Sequence, residues 1–212
     1  MSVEPFSPQP SEAASFSVDR RAPETKRLVT TLLVGRLLFA GTDGLCRVRN
    51  ISTGGARIET PATLAPGDPV QVELRGDIVL AGHVRWTGPG VVGMEFVQPI
   101  DTDAVLHGAQ SDTDWHQRMP RITTQCPVTV RQHGRIVHAD MLDINPRGAR
   151  LANLQWPLAE GLFTLNIPQL EPVEGTIRWC DNDMAGIQFT KPILYSALAE
   201  WLQSSPTRFA LR

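Results

Sequence analysis

The sequence predicts an all-β protein built from two tandem six-stranded antiparallel barrels, each followed by a short C-terminal helix. Three observations carry that prediction. Short apolar or alternating runs are separated by turn residues along most of the chain, the same order of runs occurs twice, and one offset of 93 positions relates the two sets. The polar phrase "RNISTGGARIET" (49–60) returns as "LDINPRGARLAN" (142–153), so that Asn50, Ile51, Gly55, Ala56 and Arg57 fall on Asp143, Ile144, Gly148, Ala149 and Arg150. Further on, "GHVRWTGPGVVGMEFVQPI" (82–100) falls on "GTIRWCDNDMAGIQFTKPI" (175–193) with 7 of 19 positions identical. An offset held across both blocks marks an internal duplication.

Residues 1–18, rich in Ser, Pro, Glu and Ala, are expected to form a disordered tail. The first unit then spans 19–107, with strands expected at "TTLLVGRLLF", "LCRVRN", "ARIET", "VQVELR", "IVLAGHVRW" and "VVGMEFV". After a linker at 108–114, the second unit spans 115–204 and repeats the order as "ITTQCPVTVR", "RIVHADMLD", "ARLAN", "FTLNI", "VEGTIRW" and "MAGIQFT". Six short antiparallel strands in so few residues favour closure, which removes exposed edges. Trp86, Trp179, Phe96 and Phe189 are assigned to the barrel cores as large apolar payload. Behind the last strand, "PILYSALAEWLQ" puts Leu194, Leu198, Trp201 and Leu202 on one helical face, and "PIDTDAVLHGAQ" is its weaker counterpart. Residues 205–212 form a second tail.

Composition narrows the function. A net charge of −2 argues against binding a nucleic acid polymer over the whole surface. Cys46, Cys126 and Cys180 lack any CxxC spacing, which points to a reducing, cytoplasmic setting without disulfide or zinc. His83, His107, His116, His133 and His138 fall into no metal-ligand spacing. No stretch approaches the ~20 apolar residues that would span a bilayer. No GxSxG, phosphate loop or paired carboxylates stand out, so no residue is a candidate for catalysis.

The repeated turn offers a different chemistry. An Asn or Asp oxygen accepts from the N–H edge of a guanine, a serine hydroxyl donates or accepts, and a glycine admits close backbone approach. In this turn the chain resembles the PilZ domain family, whose barrel motif is Asp or Asn, any residue, Ser, two further residues and Gly. Asn50, Ser52 and Gly55 match it in full; in the second copy Asp143 and Gly148 match, and Asn145 stands in the serine position. The "RW…G…F" block with its following "PI" is similar to the last hairpin of such domains.

The resemblance implies a PilZ-like fold for both units and binding of the messenger cyclic di-GMP, with no cofactor, no metal and no catalysis. It also implies arginines before the barrel, because a planar guanidinium serves phosphates and the guanine N7/O6 edge. Arg20, Arg21, Lys26 and Arg27 precede the first unit, and Arg118 and Arg121 the second, though no pair has the family's RxxxR spacing. The expected site is therefore Arg20, Arg21, Arg27, Asn50, Ser52, Gly55 and Arg57, with Arg118, Arg121, Asp143, Asn145 and Gly148 as second-copy candidates. The expected role is a cytoplasmic receptor, not inserted in a membrane, that acts through a protein partner the sequence does not identify. The rival reading is a degenerate tandem that binds no nucleotide and serves as a protein adaptor.

Overall fold

The computed structural model describes residues 29–75, 78–110, 119–155 and 158–204. The first unit comprises β1 (Val29–Phe39), β2 (Thr42–Ser52), β3 (Gly55–Glu59), β4 (Pro69–Glu73), β5 (Val79–Gly88), β6 (Val91–Phe96) and α1 (Thr102–Gln110). The second comprises β7 (Ile122–Gln132), β8 (Arg135–Asn145), β9 (Gly148–Ala152), β10 (Leu162–Asn166), β11 (Val173–Asp181), β12 (Met184–Phe189) and α2 (Tyr195–Ser204). Each set closes into an antiparallel barrel, in the orders β1-β2-β3-β6-β5-β4 and β7-β8-β9-β12-β11-β10. Pairing of β1 with β4, and of β7 with β10, makes the closures.

The two registers coincide at the offset of 93, including their irregularities. Register shifts fall between Thr30 and Leu33, Val48 and Asn50, and Val84 and Trp86 in barrel 1. In barrel 2 they fall between Thr123 and Cys126, Met141 and Asp143, and Ile177 and Trp179. Inward positions fill each barrel with aliphatic side chains, such as Leu37, Val48, Ile51 and Ile58 in the first and Met141, Ile144, Leu151 and Leu165 in the second. Phe96 and Phe189 are buried as expected.

The tryptophans are not core, contrary to expectation. Trp86 is 46% exposed and Trp179 is 42% exposed. Strict alternation from the inward Val84 would turn Trp86 inward. The bulge at Arg85 inserts one residue and leaves both Arg85 and Trp86 outside, and the bulge at Arg178 does the same to Trp179.

The helices differ in weight. Asp101 caps α1, its Oδ1 accepting from the amides of Asp103 (2.9 Å) and Ala104 (3.1 Å), and Val105 packs into the core of barrel 1. α2 buries Leu198, Ala199, Trp201 and Leu202. Leu194 departs from the expected face: the helix begins one residue later, and Leu194 is 73% exposed.

The barrels touch along β1, β2, β7 and α2. Asp43 Oδ2 accepts from Arg36 Nε (2.7 Å) and from the Thr123 amide (3.0 Å), and Arg36 also reaches Glu73 (3.1 Å) and Thr123 Oγ1 (3.4 Å). Burial pushes the Arg36 guanidinium down, but Asp43 and Glu73 together hold it above its ordinary value. From α2, Tyr195 OH donates to the Glu59 carbonyl (3.0 Å) and Gln203 Nε2 to the Pro61 carbonyl (2.7 Å). Leu45 of β2 is 2% exposed and packs with the core of barrel 2.

Candidate functional site

The shared register lines up one row of side chains across the outside of each barrel. In barrel 1 the pairs Thr30↔Asn50, Asn50↔Arg57, Arg57↔Gly93 and Gly93↔Trp86 run from β1 through β2, β3 and β6 to β5. In barrel 2 the row is Thr123, Asp143, Arg150, Gly186 and Trp179. At about 4.8 Å per strand, Asn50 and Trp86 stand about 14 Å apart with Arg57 between them. The bulges explain the row. They turn Asn50 and Trp86 outward where alternation would have buried them.

The glycines shape both ends of the row. A Cβ on Gly93 would collide with Trp86 Nε1, and one on Gly186 with Trp179 Nε1, so each indole lies across the backbone of the neighbouring strand. One ring face rests on the sheet, and each tryptophan stays exposed to solvent. The motif glycines answer to a different neighbour. A Cβ on Gly55 would meet the Met94 carbonyl oxygen, and one on Gly148 that of Ile187. Close approach is required there by the next strand of the barrel.

In barrel 1 the row is weakly committed. Asn50 Nδ2 donates to Thr30 Oγ1 at 3.3 Å, which aims Oδ1 away from that partner as an acceptor. Ser52 Oγ donates to the Gly55 carbonyl at 3.2 Å and closes the turn. Arg57 is exposed and forms no ion pair with a described residue, whereas Arg47 and Arg49 are drawn to Glu59 at 3.7 and 2.9 Å.

In barrel 2 the same row is closed on itself. Asp143 is 8% exposed; its Oδ1 lies 3.2 Å from Arg121 Nη1 and its Oδ2 lies 2.8 Å from Arg150 Nε. Burial raises the Asp143 carboxyl above its ordinary value, against the opposing pull of Arg121 and Arg150. Asn145 is bonded at both ends, its Nδ2 to the Met119 carbonyl (3.1 Å) and its Oδ1 from the Arg147 amide (2.8 Å). One residue decides the contrast. A carboxylate opposite Arg150 pairs with it, and the neutral Asn50 leaves Arg57 without an ion pair among the described residues.

The structure thus brings Asn50, Ser52, Gly55 and Arg57 together, and likewise Arg121, Asp143, Asn145 and Gly148. Arg20, Arg21, Lys26, Arg27 and Arg118 lie outside the described residues, as do the tails 1–18 and 205–212 and most of the linker. Trp86 and Trp179, which the sequence favoured as core over a stacking platform, also belong to these rows; their signal was the recurrence of "RW" at the offset. Burial, reinforced by repulsion from Arg147 of the other barrel, lowers the Arg75 guanidinium below its ordinary value. Among the described residues no group of His, Cys, Asp and Glu could hold a metal ion, and no helix is long and apolar enough to cross a membrane.

Two closed barrels of identical strand order, each with the motif turn on its outer face, define a tandem of small β-barrel domains. The sequence model of the PilZ domain matches residues 19–108 and 116–202, and the chain belongs to the PilZ domain family. No curated protein matches it at a significant level. Among solved structures it is similar to the Borreliella burgdorferi PlzA protein in complex with c-di-GMP (12% identity, 82% of this chain and 91% of that one, TM-score 0.33). It is also similar to Escherichia coli YcgR in complex with c-di-GMP (11% identity, 81% and 82%, TM-score 0.31). A third is the Bacillus subtilis inhibitor of motility (14% identity, 82% and 95%, TM-score 0.33).

Proposed function

We propose that this chain is a cyclic di-GMP receptor that works by binding alone, with 19–107 as the binding unit, 115–204 as the second unit, and an output through a partner protein. The observation that carries the reading is the weakly committed row of barrel 1, in which Arg57 has no ion pair with a described residue. Asn50 Oδ1 offers an acceptor for the N–H edge of a guanine, Arg57 a planar donor for phosphate or for the N7/O6 edge, and Trp86 an exposed ring for a base to stack on. Arg20, Arg21 and Arg27, with Lys26, supply the further positive charge that two phosphates call for. Barrel 2 suits a supporting role, because a ligand there would have to displace both arginines from Asp143.

Calorimetry of the full chain with cyclic di-GMP tests this. Asn50→Ala with Ser52→Ala is expected to remove most binding, and Asp143→Ala to do less. Each hydrogen bond lost to a buried base edge costs about 1–3 kcal/mol, roughly five- to 150-fold in affinity. Arg20→Ala with Arg21→Ala should weaken binding and flatten its dependence on salt. Equal loss from Asp143→Ala would move the site to barrel 2. Absence of binding by the parent would favour the adaptor reading, which the self-paired second row supports.

A further inference from the structure

α2 works on three sides. Tyr195 and Gln203 reach barrel 1, and Leu198 and Leu202 fill the core of barrel 2. The remaining flank, with Ala197, Glu200 and Ser204, borders a groove of about 950 Å³ opposite the segments 169–174 and 190–194. The walls are pinned in place. Trp201 Nε1 donates to the Pro168 carbonyl (2.8 Å), the Thr190 amide to the Glu174 carbonyl (2.8 Å), and the Leu170 amide to the Ile167 carbonyl (3.1 Å). A groove fixed before binding loses little entropy when it is filled.

The lining joins apolar surface to negative charge. Leu170, Val173 and Ile193 line it, and Leu194 is the most exposed large apolar side chain of the described residues at 73%. Glu171, Glu174 and Glu200 stand exposed around them, and none forms an ion pair with a described residue. Lys191 offsets only one of the three charges. The first copy does not share these side chains: at the offset of 93, Glu174, Leu194 and Glu200 correspond to Ala81, the capping Asp101 and His107. This lining is therefore a property of the second unit and not a by-product of duplication.

We propose that this groove docks a partner protein through a short segment that sets apolar side chains between lysines or arginines. Apolar side chains would cover Leu194 and its neighbours, and the cations would meet the three glutamates, as in a groove that receives an amphipathic segment. The same charge repels nucleic acid and anionic lipid. The inference is independent of the nucleotide reading, since neither barrel row contributes to the groove.

The test uses the full chain without nucleotide and fluorescence anisotropy of a dye-labelled 14-residue leucine–lysine peptide patterned as an amphipathic helix. A counterpart with glutamate at every lysine serves as comparison. The lysine peptide is expected to bind and the glutamate peptide not to bind. Glu171→Lys with Glu200→Lys should weaken binding about tenfold or more, and Leu194→Ala should weaken it as well, while Glu160→Lys on the same barrel leaves it unchanged. These positions are exposed, so unchanged melting of the variants should confirm that folding is intact. Equal binding of both peptides, or indifference to the glutamate reversals, overturns the proposal. Binding that emerges only after removal of 205–212, which carries Arg208, Phe209, Leu211 and Arg212, also overturns it and makes the chain's own end the occupant.

Discussion

Gly93 and Gly186 hold their tryptophans in place by having no side chain. An alanine at 93 would drive its Cβ into the Trp86 indole, so the ring must lift from the strand. Gly93→Ala should cost about 1–3 kcal/mol by overpacking and, where cyclic di-GMP binds, lower affinity together with a shift in Trp86 fluorescence. Unchanged affinity in a folded variant would remove Trp86 from the site. At Asp143 the governing effect is burial. Burial raises its carboxyl above the ordinary value against the pull of Arg121 and Arg150, so the fold holds that proton more tightly than the unfolded chain does. The contribution of this group to stability is then fullest below its unfolded value and is lost as pH rises through the folded value. Relative to Asp143→Asn, the parent should therefore lose stability in urea titrations as pH is raised through the acidic range towards neutrality. A parent that gains on the variant would mean that Arg121 and Arg150 outweigh burial. The motif residues were legible in the sequence because their types and spacing carry the chemistry. Trp86 was not, because its exposure depends on one inserted residue that alternation does not reveal.

At the scale of elements, bulges and caps do what the alternating pattern does not. The twelve strands of the described residues coincide with apolar or alternating runs, since most inward positions of a closed barrel are apolar. Strand ends were less legible. β2 begins at Thr42 and not Leu45, because a tight turn through Ala40 and Gly41, both at positive φ, lets pairing with β1 start immediately. The weaker helix α1 was expected as the counterpart of α2, and Asp101 accounts for its start. Asp101→Ala leaves two amides without that partner and should cost about 1 kcal/mol in chemical denaturation. No measurable cost would mean that α1 is held by the packing of Val105 and its neighbours and that its cap is dispensable.

At the scale of the whole molecule, the duplication fails where the barrels meet. Arg36, Asp43, Leu45 and Glu73 correspond at the offset to Thr129, Ile136, His138 and Asn166, and Tyr195 corresponds to Thr102. A duplicated unit has no inherited way to grip its own copy, and most of the gripping residues differ between copies, although Thr123 and Gln203 match Thr30 and Gln110. This asymmetry was written in the sequence, yet without coordinates nothing distinguished it from ordinary divergence. It has an energetic consequence. Leu45 belongs to a strand of barrel 1 and is buried among side chains of barrel 2, so truncating it opens a cavity that both barrels line. Leu45→Ala should cost about 2–5 kcal/mol. If the interface couples the barrels, hydrogen-exchange protection should fall in β7 and β8 as well as in β1 and β2, and the parent should melt in a single calorimetric transition. Adding Tyr195→Ala removes the hydrogen bond from α2 to Glu59 and the ring beneath Arg47, whose guanidinium carbon lies 3.9 Å from its centroid. The double variant is then expected to melt in two steps as the barrels part. Protection lost in barrel 1 alone, or two transitions already present in the parent, would show that the barrels fold independently and that the interface only orients them.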